Sequence, residues 1–421
     1  MGLSLYEMNL NEENIFSFRL KNGIKVVHLQ HSRPVAYCGL LINTGSRDEE
    51  GFKPGIAHFL EHMMFKGTTK RKTHHILSRI DEVGGELNAY TAKENTFVYT
   101  SFLDEYVDRA LDIMEDIIFH STFPLKEIEK ERAVIIDEFQ SYKDDPAEEM
   151  GDMFDSLMFA GHTLGTNILG SIDSVSSIQQ SDLKKFVKQT YHTDKMVLCY
   201  IGPTSKEKFK AKAEKYFGGV KSNTSKSART AYTGYEPFVL EIEKEMYSSH
   251  CLIGNVGYGL RNKKRLPFVL LNNILGGPGL NSRLNMNIRE KYGFTYYLDA
   301  NYTPFEECAQ WAIYLSTDIK SLDKTISLVY KELKKLREQT LTTSQLDKAK
   351  KQIMGQMALA NENTSGMLHV IAKSFLLFDR LDSLPYLYKQ VEKVTSTQLR
   401  DIANEMFDEK KLSRMVYRNK K

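Results

Sequence analysis

The segment His58-Phe59-Leu60-Glu61-His62 constrains this chain more than any other, because its chemistry requires a helix. Residues at i and i+4 sit one above the other on a helix, with i+3 beside them. His58 and His62 can then grip one ion while Glu61 points at the open position of that ion, the equipment needed to hold zinc and activate water. Ile56, Phe59, Leu60 and Met63 fall on the opposite side, ready to dock into a core. Pro54 and Gly55 suit a helix entry and Gly67 a stop. The bland alternative is an amphipathic helix with two hydrogen-bonded histidines.

A catalytic zinc site usually takes three protein ligands and a water, so a further donor must arrive from elsewhere. The best source is the stretch 124–142, read as a helix opened by Pro124. Glu131 and Glu138 lie two turns apart there and face the same way, beside the apolar run Val134-Ile135-Ile136. A carboxylate buried by such neighbours needs a cation or a proton. A solvated acidic face explains Glu127 and Glu129 well and Glu138 poorly.

The order His-x-x-Glu-His, then about 76 residues, then Glu, resembles the inverzincin peptidases of the pitrilysin/insulinase family, to which the mitochondrial processing peptidase also belongs. The similarity runs on through Met63-Met64-Phe65-Lys66-Gly67-Thr68 and through Gly84-Gly85-Glu86-Leu87-Asn88-Ala89-Tyr90-Thr91. It continues in Leu275-Gly276-Gly277, Ser282-Arg283-Leu284, Ile288-Arg289-Glu290-Lys291, Gly293 and Tyr296, and so spans nearly the whole chain from about residue 18.

The resemblance implies an α+β fold of two similar halves related by internal duplication, each a mixed or antiparallel sheet covered by helices. It implies one zinc ion per chain, held by His58, His62 and Glu138, with Glu61 as general base and Glu131 orienting a ligating histidine through its other ring nitrogen. Gly85, Asn88 and Ala89 match the strand that holds an extended peptide; an ordinary turn and edge strand is the competing reading. Arg289 and Tyr296 match an Arg/Tyr pair that closes over the substrate and binds its carbonyls or the developing oxyanion. A structural ion pair of Arg289 with Glu290, and a core role for Tyr296, are their alternatives. The implied activity is a zinc-dependent endopeptidase hydrolysing short or unfolded peptides inside a closed chamber, with zinc-bound water as nucleophile. A presequence-processing peptidase is the second reading and a catalytically silent scaffold subunit the third. Two halves supply only half of the four-domain clamshell of long family members. With both motifs on one chain, the expectation is a homodimer with a composite active site, acting on a peptide substrate.

Composition supports an ordinary globular protein. A chain of 421 residues is long enough for two or more domains. A net charge of +3, with no basic cluster interleaved with aromatics, does not suggest nucleic-acid binding. The four cysteines are far apart in sequence, which argues against a disulfide framework. No run of about 18 apolar residues exists, and the N-terminal stretch carries Glu7, Glu12 and Glu13 rather than a targeting pattern. A cytoplasmic protein without membrane association is the resulting expectation.

Along the chain we expect a zinc-binding half at 1–217, a linker at 218–235 rich in small, polar and basic residues, and a half at 236–421 that lacks the metal motif. Residues 16–29 and 34–43 read as paired strands, the second nearly all apolar and therefore central. In the second half, Phe268 to Leu275 stands where the metal helix should be.

Overall fold

The computed structural model describes residues 15–224 and 228–420. The N-terminal stretch through Glu13 and residues 225–227 of the expected linker lie outside the described residues. The strands are β1 (Ile15–Arg19), β2 (Lys25–Gln30), β3 (Val35–Ile42), β4 (Glu86–Thr91), β5 (Thr96–Leu103), β6 (Met196–Gly202), β7 (Val239–Lys244), β8 (Ser249–Tyr258), β9 (Thr295–Pro304), β10 (Cys308–Thr317) and β11 (Ser413–Asn419). The helices are α1 (Ile56–Met64), α2 (Thr73–Asp81), α3 (Val107–Phe119), α4 (Leu125–Asp144), α5 (Pro146–Met158), α6 (Ile172–Ser177), α7 (Gln180–Thr190), α8 (Lys206–Phe217), α9 (Arg265–Gly276), α10 (Ile319–Glu338), α11 (Thr343–Asn361), α12 (Thr364–Phe378), α13 (Leu384–Glu392) and α14 (Ser396–Met406). Among the described residues, no helix is long and apolar enough to cross a membrane.

Two sheets organise the chain. The first has order β1-β2-β6-β3-β5-β4 and the second β7-β11-β8-β10-β9. Strip β1 from the first and the two match strand for strand. Each has one parallel pair, β2 with β6 and β7 with β11, and is otherwise antiparallel. The helix after the third-position strand is α1 in one and α9 in the other. This is the duplicated α+β architecture, with α9 in the place of the metal helix.

The chain divides into two compact units that are not continuous in sequence. The first comprises residues 1–140, 166–229 and 358–384; the second comprises 141–165, 230–357 and 385–421. In the first, alternate residues of β3 and β6 enter different cores. Ala36, Cys38, Leu40, Leu198 and Tyr200 pack with α1, α2, α3, α7 and α8. Leu41, Val197, Cys199 and Ile201 pack with Met367, Leu368, Ile371 and Phe375 of α12. Burial on both faces is why β3 and β6 read as unbroken apolar runs. In the second unit Cys251, Ile253, Trp311 and Ile313 face α9, α10, α11 and α14, while Leu252 and Ala312 face Met150, Phe154 and Met158 of α5. A helix from elsewhere in the sequence thus covers the second face of each sheet.

One pairing differs from expectation. Residues 16–29 form a hairpin of their own, β1 with β2, and β6 lies between β2 and β3. Alternation of apolar residues shows that a strand has a buried face but not which strand lies beside it.

The α12 interface generates a stability prediction. Ile371 is fully buried against the first sheet, while its neighbour Val370 is 49% exposed. Ile371→Ala should destabilise this unit by about 2–5 kcal/mol, whereas Val370→Ala should change little. Urea unfolding of the two variants, followed by tyrosine fluorescence, checks the difference.

Candidate metal centre

Helix α1 is placed by its apolar side. Ile56, Phe59 and Met63 are fully buried and Leu60 nearly so. Its entry is at Gly55, with φ of 87°. The Glu49 carboxylate accepts hydrogen bonds from the backbone N–H of Gly55 and of Ala57, each at 3.0 Å, and so satisfies donors that the first turn leaves open. Burial pushes the Glu49 carboxyl up to about 8, and these contacts oppose that push.

With that face docked, His58, Glu61 and His62 meet α4. The Glu138 Oε2 atom lies 3.8 Å from His58 Nε2 and 3.6 Å from His62 Nε2. One ligand atom from each of the three residues lies within 4.8 Å of the others; among the described residues it is the only such grouping of three. These separations are too long for hydrogen bonds. They suit donors at about 2.0–2.2 Å from one tetrahedral ion, whose ligands stand roughly 3.3–3.6 Å apart. Two imidazoles and a carboxylate are also a donor set that zinc accepts. Burial, then the neighbouring His62, holds the His58 imidazole down to about 3, which keeps it neutral with a lone pair to donate.

Glu131 stands behind this trio. Its Oε2 is 3.0 Å from His62 Nδ1, and its Oε1 is 2.7 Å from Lys66 Nζ. With Nδ1–H donating to Glu131, His62 is left with its Nε2 lone pair turned toward Glu138. Lys66 compensates the charge of Glu131, which is only 5% exposed. Helical geometry thus puts Glu131 and Glu138 on one side. Glu127 and Glu129 instead pair with Lys130 and Arg132 at the surface. Val134 is 48% exposed and Ile135 fully buried, because consecutive helical residues point about 100° apart.

Glu61 is half-buried beside the two histidines. Thr91 Oγ1 donates to Glu61 Oε2 at 2.6 Å. Burial raises the Glu61 carboxyl above its ordinary range, opposed by the Thr91 hydrogen bond.

Among the described residues, β4 is an edge strand with β5 as its single strand partner, so its other edge is open to pairing. Asn88 is exposed, and Ala89 is half-buried on the face that packs into the core beneath α1. Gly85 precedes β4; a Cβ there would meet Ser101 O at 2.5 Å and Ile80 Cγ2 at 2.7 Å, so close packing requires glycine. Arg289 and Tyr296 belong to the second unit. Arg289 is exposed in a turn of π-helix at Asn285–Glu290, and its guanidinium forms no ion pair with Glu290. Tyr296 is 56% exposed on β9 rather than in a core. Its hydroxyl donates to Asp318 at 3.2 Å, which raises its pKa.

Sequence reasoning did not single out Glu49, Lys66 or Thr91. Lys66 lies just past the end of α1, which closes at Met64, so helical spacing gave no signal for it. Glu49 reaches α1 from a preceding turn and Thr91 from a strand, and no spacing rule connects either to the motif.

The model for "Insulinase (Peptidase family M16)" matches residues 25–171, and that for "Peptidase M16 inactive domain" matches residues 177–353. An uncharacterized zinc protease of Bacillus subtilis is 30% identical over 395 residues, covering 93% of this chain and 95% of its own. The mitochondrial-processing peptidase subunit beta of Caenorhabditis elegans is 29% identical over 408 residues, covering 94% and 88%. A crystal structure of a peptidase M16 inactive domain from Pseudomonas fluorescens superposes with a TM-score of 0.88 at 20% identity, over 96% of this chain and 98% of that one. At that identity the likeness is one of fold.

The contact between Glu131 and His62 is open to test. Glu131→Gln should weaken divalent-metal affinity by about 10–100-fold while the fold persists. Competition against a chromogenic chelator, with circular dichroism as the control, measures both.

Proposed function

This chain belongs to the insulinase (M16) peptidase family, and on that premise we propose that it is a zinc-dependent endopeptidase acting on short or unfolded peptides. The observation that carries the reading is the meeting of His58 Nε2, His62 Nε2 and Glu138 Oε2 around one space, with the Glu61 carboxylate beside it. His58, His62 and Glu138 would hold the zinc, and Glu131 with Lys66 would keep the His62 ring in its ligating tautomer. When bound, zinc supplies Lewis acidity, which polarises the scissile carbonyl and brings water to deprotonation near neutral pH.

Each remaining step belongs to side chains or backbone of this chain. Glu61 takes the proton of the attacking water and returns it to the leaving amine as the C–N bond breaks. The free edge of β4, around Asn88 and Ala89 and following Gly85, pairs with the peptide backbone and holds it extended. Recognition through backbone groups suits substrates without folded structure. Arg289 and Tyr296, both exposed, donate to substrate carbonyls and to the developing oxyanion.

Both motifs lie on one chain, and the curated relatives match over nearly their whole lengths. We read the working unit as a homodimer in which the Arg/Tyr half of one protomer faces the zinc half of the other. Presequence processing is the second reading, supported by the similarity to the mitochondrial-processing peptidase subunit.

Two experiments test this. Glu61→Gln should retain one zinc per chain and lose about 10²–10⁴-fold in kcat on an unfolded peptide, read by metal analysis and a fluorogenic assay. A Glu61→Gln variant with full activity removes Glu61 from the role. For the composite site, Glu61→Gln and Arg289→Ala proteins, each inactive alone, should regain activity when co-refolded, because mixed dimers hold one intact pair of halves. Activity that never returns on mixing contradicts a shared site.

A further inference from the structure

The contact between Glu61 and Thr91 joins the proposed base to the strand proposed to hold the substrate. Thr91 is the last residue of β4, and its hydroxyl donates to Glu61 Oε2 at 2.6 Å. One carboxylate oxygen is therefore held by a fixed donor. A free glutamate side chain samples several staggered χ arrangements, and few of them point its carboxylate at a given atom.

The donor is itself held firmly. Thr91 pairs with Thr96 where β4 turns into β5, and the turn closes with Ala92 N–H donating to Asn95 O at 2.8 Å. The preceding segment grips this turn. Ser46 N–H donates to Ala92 O at 3.2 Å and Arg47 N–H to Lys93 O at 2.7 Å. That approach requires Gly45, where a Cβ would meet Lys93 O at 2.6 Å and Asn95 N at 2.7 Å. Inside the turn, the buried Glu94 carboxylate pairs with Arg47 Nη1 at 2.6 Å, and Arg229 Nη2 donates to Glu94 O at 2.6 Å. Arg229 is tied in turn to Asp48 at 2.8 and 2.9 Å. On the opposite face of β4, Tyr90 contacts His369 of α12. Both side chains at the end of the strand are thus anchored, one on each face.

We propose that Thr91 is a positioning residue for Glu61: its hydroxyl, set by the clamped 92–95 turn, fixes the carboxylate in the orientation that accepts a proton from water. The proposal rests on the reading of Glu61 as general base. It adds a coupling between substrate and base, since a peptide pairing with β4 engages the same strand that orients Glu61. The effect belongs in the chemical step, because neither zinc ligation nor the outer edge of β4 involves the Thr91 hydroxyl.

The test compares Thr91→Val, Thr91→Ser and Glu61→Gln in the full-length protein, measuring kcat, KM on a fluorogenic unfolded peptide, and zinc per chain. Thr91→Val should lower kcat by about 10–100-fold with KM and zinc content unchanged. Thr91→Ser, which keeps the hydroxyl and loses the methyl, should recover most of the rate. A crystal structure of the Thr91→Val protein should show the Glu61 carboxylate in more than one rotamer. Wild-type kcat in Thr91→Val beside an inactive Glu61→Gln overturns the positioning role and leaves the base assignment standing. Full activity in Glu61→Gln overturns the base assignment, and the positioning role with it. A rise in KM alone, loss of zinc, or equal impairment in Thr91→Val and Thr91→Ser also overturns the proposal, since each marks a docking or packing role.

Discussion

Two imidazole nitrogens and a carboxylate oxygen that face one another without hydrogen bonding are the constraint on which the rest depends. Such donors repel when their lone pairs converge. The arrangement makes physical sense around a cation. His58 is buried and held neutral, His62 is fixed by Glu131, and Glu138 approaches both Nε2 atoms at 3.6–3.8 Å. A surface helix with two incidental histidines would turn them to solvent or satisfy both with backbone partners.

The scaffold serves that convergence through burial rather than through local propensity. α1 is short, and its position comes from four apolar side chains on one side and from Glu49 at its entry. α4 brings Glu131 and Glu138 from a distant stretch of sequence, and β4 brings Thr91. Both faces of the first sheet are covered, one of them by α12, a helix from late in the chain. In the second sheet α9 takes the place of α1 and carries Phe268, Leu270, Leu271 and Leu275 into its core. The duplicated half therefore keeps the architecture and lacks the donors.

Much of the site is legible in the sequence because its geometry is helical. The i, i+3, i+4 spacing of His58, Glu61 and His62 and the i, i+7 spacing of Glu131 and Glu138 determine which side chains share a face. The apolar runs of β3 and β6 mark them as central strands. What the sequence hides is contact between elements. Nothing in residues 16–43 shows that β6 inserts between β2 and β3, and nothing in α5 or α12 shows which sheet each covers. Glu49 and Thr91 escape for the same reason. Each reaches α1 through a tertiary contact, and periodicity within one element carries no information about a partner on another.

Anomalous diffraction at the zinc absorption edge, on crystals of protein purified without added metal or chelator, tests the central claim most directly. The account predicts one strong anomalous peak per chain, within bonding distance of His58 Nε2, His62 Nε2 and a Glu138 carboxylate oxygen. A zinc-free site with the Glu138 carboxylate turned away from both imidazoles, in protein that still cleaves peptides, would contradict it.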